Sequence, residues 1–180
     1  MPATICVTGA GGFIASWLVK YLLERGYNVR GTIRGEPPAH LTSLPHAKER
    51  LTLYKADLLT PGSFDHAFAG CDGVFHTASP FFFQTKDPEN ELLKPAIEGT
   101  LSVLNSAYNT PSVKRVIVTS STAAVMIGNY DTNHEFVEDD WSDAELLKMT
   151  KQWYLLSKTL AERAVWDFYN SKPKLFHFIK

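Results

Sequence analysis

Cysteine is scarce. The 180-residue chain has two, Cys6 and Cys71, too few for the disulfide framework that holds small secreted domains. Cys6 lies in an apolar run and is expected to be a buried thiol. An excess of charge of either sign is also lacking: Lys plus Arg number 18 and Asp plus Glu 19. That balance gives no reason to expect a nucleic acid or an anionic membrane as partner. No apolar run approaches the roughly 20 residues of a membrane span. The chain passes from Met1 straight into a strand pattern, without a signal-peptide profile. Six histidines (His40, His46, His66, His76, His134 and His177) show no metal-ligand spacing, so no metal is expected, and His76 reads as a satisfied core residue. Internal repeats and low-complexity linkers are missing too. These absences set the expectation of one ordinary globular domain in a reduced, cytosolic setting.

What is present is an alternation of strand and helix. Residues 3–8 read as a short buried strand, and 13–25 as a helix with Ile14, Trp17, Leu18, Tyr21 and Leu22 on one face and Gly26 as its stop. Further strands are expected over 27–33, 51–56, 73–78 and 113–119, with a sixth beginning at 174–179. Helices are expected over 61–69, over 88–108 with a bend near Pro95, and over 153–169. Ser142 and Glu145 fit a capping box before a shorter helix. Apolar strands alternating with helices imply a doubly wound parallel sheet covered on both faces. The longest irregular stretch, 126–140, follows the fifth strand, where such a sheet places its ligand crevice.

The first strand-to-helix turn reads Thr8-Gly9-Ala10-Gly11-Gly12-Phe13-Ile14-Ala15. Glycine there permits a tight turn and lets phosphates approach the backbone, and the helix start offers free N–H groups. The spacing Gly9, Gly12, Ala15 follows a TGxxGxxA form. The second strand ends at Arg34 without the acid that would hold an NAD ribose; Glu36 comes two residues later. Arg34, helped by Arg30, could pair with the 2′-phosphate of NADP; a solvated loop arginine is the competing reading. Asp57 and Leu58 close the third strand on the adenine side. Thr77, Ala78 and Ser79 close the fourth with small side chains that leave room for a cofactor. Tyr154 and Lys158 are four residues apart on one helix and share a face. An ammonium beside the phenol is expected to favour the phenolate. A hydroxyl from Ser120, Ser121 or Thr122 could hold a substrate oxygen. Phe81-Phe82-Phe83 either walls an apolar pocket or covers the core.

Taken together, these residues resemble the extended short-chain dehydrogenase/reductase superfamily, in its dihydroflavonol reductase and cinnamoyl-CoA reductase-like branch. The carrying stretches are Val7-Thr-Gly-Ala-Gly-Gly-Phe-Ile, Leu22-Leu-Glu-Arg-Gly-Tyr, Lys55-Ala-Asp-Leu, Val74-Phe-His-Thr-Ala-Ser-Pro, Lys114-Arg-Val-Ile-Val-Thr-Ser-Ser, Trp141-Ser-Asp and Ser157-Lys-Thr-Leu-Ala-Glu. The resemblance implies an NAD(P)-binding Rossmann domain over 1–180, in a truncated chain lacking a C-terminal substrate domain and poor as a catalyst by itself. It implies NADP(H) as cofactor and a small-molecule ketone or aldehyde as substrate. It places the triad on Ser121, Tyr154 and Lys158. Cofactor contacts fall on Gly9, Gly11, Gly12, Phe13, Ile14, Arg34, Asp57, Leu58, Thr77, Ala78 and Ser79, with Tyr154 and Lys158. The family's second NADP-binding lysine has no match after Arg34. Met126 stands where dihydroflavonol reductases carry asparagine. Gln152-Trp-Tyr-Leu-Leu-Ser-Lys158 stands where cinnamoyl-CoA reductases carry Asn-Trp-Tyr-Cys-Tyr-Gly-Lys. Two alternatives keep the scaffold: an NAD-dependent nucleotide-sugar epimerase or dehydratase, and a non-catalytic NADP-binding module.

Overall fold

The computed structural model describes residues 2–81 and 84–172, and the backbone of 177–179. They fall into two compact units. The first takes in the residues up to Ala78, Ser102–Thr119 and the last strand; the second takes in Ser79–Leu101 and Ser120–Lys172.

The first unit is an open sheet. In chain order it contains β1 (Thr4–Thr8), α1 (Phe13–Glu24), β2 (Asn28–Ile33), the short helices α2 (Ala39–Thr42) and α3 (Ala47–Arg50), β3 (Leu51–Lys55), α4 (Asp65–Phe68), β4 (Gly73–His76), the end of α5 (Lys94–Tyr108) and β5 (Arg115–Val118). The six strands run parallel in the order β3-β2-β1-β4-β5-β6, where β6 is His177–Ile179. The order reverses beside β1, so the carboxyl ends of β1 and β4 form the switch point at which such sheets bind ligands. Residues 174–176 of the expected sixth strand lie outside the described residues.

Val7, Ala10, Ala15, Val19, Leu22, Leu23, Val29 and Leu41 form the buried cluster of this unit. The expected inner face of α1 is corrected by it. Ile14, Trp17 and Tyr21 are exposed, and Ala15, Val19, Leu22 and Leu23 face the sheet. Lys20 sits over the rings of Trp17 and Tyr21, 5.6 and 5.0 Å from their centroids, so the outer aromatic stripe packs under a lysine stem. Gly26, at φ +85, ends the helix as expected. The expected helix over 61–69 shrinks to α4, because Gly62 at φ +73 holds the chain in a turn first.

Gly31 carries a constraint the sequence does not announce. A Cβ there would stand 2.7 Å from Ala10 Cβ and 2.8 Å from Leu53 Cδ2. The glycine lets the turn after β1 settle directly onto β2. Gly31→Ala should therefore destabilise the chain by about 1–3 kcal/mol, the usual scale of overpacking. A chemical-denaturation midpoint equal to that of the parent chain would contradict it.

In the second unit, a π-helical turn (Glu89–Leu93) leads into α5; a 3-10 turn (Thr122–Ala124) and the helices α6 (Ala144–Met149) and α7 (Trp153–Ser171) follow. Leu93, Leu147 and Leu156 centre its core. The bend expected near Pro95 takes the form of the π turn. Pro95 then falls in the first turn of α5, where its missing N–H costs little. The capping box is corrected: Asp143 caps α6 by accepting from the Leu146 N–H at 3.0 Å. Ser142 is fully buried and has another task, described below.

Candidate functional site

The glycine turn of the first unit is a fixed cradle. Gly9 adopts φ +65, and a Cβ on it would lie 3.0 Å from both Cα and Cβ of Ala78. Its N–H donates to Thr32 Oγ1 at 3.2 Å, and the Ala10 N–H donates to Thr32 O at 2.8 Å. The Gly12 N–H closes the turn onto Gly9 O at 2.9 Å. Beyond that point the amides stop finding partners. Gly12 caps α1 with no side-chain bond and no acid in the first turn, and among the described residues the N–H groups of Gly11, Phe13 and Ile14 have no protein acceptor. Phe13 is 82% and Ile14 63% exposed. An uncapped helix start with free amides and a positive dipole end fits a pyrophosphate, so these residues fit a dinucleotide.

The loop after β2 passes beside this cradle. From the Cβ position of Gly11, Pro38 Cγ lies at 3.5 Å and Ile33 Cγ2 at 4.0 Å. Arg34 follows Ile33 directly and is exposed; Glu36 is exposed in the same loop. Arg30 does not join it. Its guanidinium is spent on the end of α4, donating to Ala67 O at 3.2 Å and Ala69 O at 2.5 Å. The help expected from Arg30 is thus corrected by a helix terminus that needs a cation. Asp57 and Leu58 lie just past β3. One carboxylate oxygen of Asp57 accepts from the Leu59 N–H at 2.8 Å, and Ser63 Oγ bonds the Asp57 backbone N–H and carbonyl at 3.2 and 2.7 Å. Past β4, Thr77 spends its hydroxyl on Thr8 O at 2.5 Å, and Ala78 packs on Gly9. Ser79 begins the second unit.

In the second unit Tyr154 and Lys158 share a face of α7, as the spacing implies. Lys158 Nζ lies 5.7 Å from the centroid of the Tyr154 ring. Burial pushes the Tyr154 hydroxyl above its ordinary pKa and the Lys158 ammonium below its own. The expectation of a favoured phenolate is therefore corrected: desolvation sets the direction, and Tyr154 is held as a neutral phenol. The three candidate hydroxyls separate. Ser120 donates its only hydrogen to the buried carboxylate of Glu162. Ser121 accepts from the Ala123 N–H at 3.2 Å, which leaves its own hydrogen for a ligand. Thr122 is exposed. Ser142 fixes this turn, donating to Ala123 O at 2.8 Å and accepting from the Ile127 N–H at 2.9 Å. Phe81 meets the Tyr154 ring edge-on at 5.2 Å; Phe82 and Phe83 lie outside the described residues. No motif marks Thr32, and the holding roles of Thr8 and Ser142 go beyond the glycine motif and the cap in which the sequence places them. The only signal of those roles was a buried hydroxyl at a strand end or before a helix.

Fold and cradle define a Rossmann domain of dinucleotide-binding type. The profile of the NAD dependent epimerase/dehydratase family matches residues 5–178, and the chain belongs to that family. Within it, the chain falls in the dihydroflavonol reductase and cinnamoyl-CoA reductase-like branch. It is 55% identical over 169 residues to tetraketide alpha-pyrone reductase 1 of Arabidopsis thaliana, covering 91% of this chain and 52% of that protein. It is 50% identical over 176 residues to dihydroflavonol 4-reductase of the same plant, covering 94% of this chain and 46% of that one. The crystal structure of Gre2 from Candida albicans in complex with NADPH superposes with a TM-score of 0.85 at 35% identity, over 98% of this chain and 56% of that one. The chain spans about half the length of the curated relatives it matches.

Proposed function

We propose that residues 1–180 form the cofactor-binding part of an NADPH-dependent reductase of a small ketone or aldehyde. The observation that carries this reading is Tyr154, kept neutral by burial, with Lys158 over its ring and the free hydrogen of Ser121 on the same unit. A carbonyl needs a proton donor at its oxygen during reduction, and a neutral phenol is one. Tyr154 Oη would give its proton to the carbonyl oxygen, while Ser121 Oγ orients that oxygen by donating a hydrogen bond. Lys158, positively charged, would stabilise the phenolate that Tyr154 becomes. When bound, NADPH supplies the hydride. Gly9, Gly11, Gly12, Phe13 and Ile14 would hold its pyrophosphate, Arg34 its 2′-phosphate, Asp57 and Leu58 its adenosine end, and Thr77, Ala78 and Ser79 the segment past β4.

The epimerase and dehydratase reading would need NAD. An exposed arginine, with no acid at the tip of β2, weighs against it. A non-catalytic module would have no use for a half-buried Tyr–Lys pair on one helix face. The test is NADPH consumption against a panel of aldehydes and ketones, run on the chain alone and on the chain extended by the C-terminal half of a relative. NADPH oxidation that depends on the carbonyl is expected. Binding of NADH in preference to NADPH would favour the epimerase reading.

A further inference from the structure

The hydroxyl of Thr8 makes more contacts than one oxygen usually does. It is fully buried at the end of β1. The N–H groups of Thr77 and Ala78 both donate to Thr8 Oγ1, each at 3.1 Å, and His76 Nδ1 lies 2.8 Å from the same oxygen. A hydroxyl has two acceptor lone pairs and one hydrogen. The two amides are donors and take both lone pairs. The hydrogen must then go to His76 Nδ1, which can accept it only when unprotonated. This count assigns the acceptor role to His76 Nδ1 and the ring proton to Nε2.

The consequence reaches the cradle. Thr77 and Ala78 are held at the end of β1 by those two amide bonds, and Ala78 packs against Gly9, where even a Cβ would stand at 3.0 Å. Thr32 holds the same turn from the side of β2. We infer that His76 is a positioning residue for the dinucleotide: its unprotonated Nδ1 aims the Thr8 hydroxyl, and the aimed hydroxyl holds the Thr77-Ala78 segment against the glycine turn. The inference rests on the reading of Gly9–Ile14 as the cofactor turn. His76 acts through Thr8, and losing its acceptor frees the hydroxyl to rotate and give up an amide.

Two measurements test this on the 180-residue chain. The first is the ring 15N spectrum of His76 in the unsubstituted protein, assigned against His76→Asn. The Nε2–H tautomer is expected; an Nδ1–H or doubly protonated ring at neutral pH overturns the inference whatever the cofactor does. The second is NADPH affinity, read by nucleotide fluorescence. His76→Leu removes the acceptor and should weaken binding about tenfold or more, the scale of one unmade buried hydrogen bond. His76→Asn places an acceptor oxygen near the position of Nδ1 and should restore most of the affinity. Thr8→Val, which cannot bind either amide, should weaken binding at least as much as His76→Leu. A purely structural role predicts that Asn and Leu lower affinity alike, and that result overturns the inference. Equal affinity of His76→Leu and the parent chain overturns it too. Should His76→Leu fail to fold, the tautomer and the Asn variant still decide. Failure of the parent chain to bind NADPH at all would instead strike the cofactor reading.

Discussion

Replacing Tyr154 by phenylalanine should lower carbonyl reduction by about 10²–10⁴-fold, the contribution of a positioned proton donor, and leave NADPH binding intact. The substitution removes one oxygen and keeps the ring. The edge contact with Phe81 and the position of the Lys158 ammonium over the ring both survive. Burial adds a sign to the pH dependence. A tyrosine shifted upward keeps its proton throughout the neutral range, so Tyr154 itself should not limit reduction until the pH rises beyond the ordinary tyrosine range. Lys158 acts the other way: its lowered pKa means the ammonium is lost sooner as pH rises, so the alkaline decline should begin with Lys158. It stays charged below its shifted pKa and can stabilise the phenolate that forms. Single-turnover rates with NADPH and a reactive aldehyde, alongside nucleotide affinity, separate the step from binding. Near-full turnover by Tyr154→Phe in a chain extended by a relative's C-terminal half would remove Tyr154 from the proton-donor role.

The parts of the candidate site that lie close together in sequence were the legible ones. Glycine at Gly9 and Gly12 and the four-residue interval from Tyr154 to Lys158 are set by one turn and one helix, so periodicity exposes them. The doubly wound parallel sheet also followed from alternation, because apolar strands separated by helices leave few topologies. What stayed hidden depends on partners far apart in the chain. Thr32 is 23 residues from the glycine it holds and Thr8 is 68 from His76, and nothing local marks Thr32 or the tie from Thr8 to His76. Arg30 looked like an aid to Arg34 because both are arginines near one strand end. Its side chain instead serves carbonyls of α4, some 37 residues on. On α1 the helical spacing of Ile14, Trp17 and Tyr21 puts large apolar side chains on an exposed stripe, whereas the sheet accepts the smaller Ala15 and Val19. Capping boxes favour serine, which points to Ser142; Asp143 caps with equal ease and frees Ser142 to fix the turn that carries Ser121.

Arg34→Ala should weaken NADPH by roughly 1.5–3 kcal/mol, the scale of a hydrogen bond to a charged group, or about 10- to 150-fold in Kd. NADH affinity should hardly change. The difference arises because the two cofactors differ only at the 2′-phosphate, and a planar guanidinium can meet two of its oxygens at once. Arg34 follows the last residue of β2, beside the strand end that borders Gly11, and is exposed. Arg30 is committed to Ala67 and Ala69 and cannot substitute for it. Arg34→Lys should recover only part of the loss, since an ammonium offers charge without the fork. The effect should also shrink as ionic strength rises, because an exposed pair is screened over about 10 Å at 0.1 M salt. Glu36 supplies the control. An acid is what an NAD ribose would want, so if Glu36 reads the ribose, Glu36→Gln should weaken NADH and spare NADPH. Parallel titrations of both cofactors with the three variants decide the matter. Equal weakening of NADPH and NADH by Arg34→Ala would show that Arg34 does not read the phosphate.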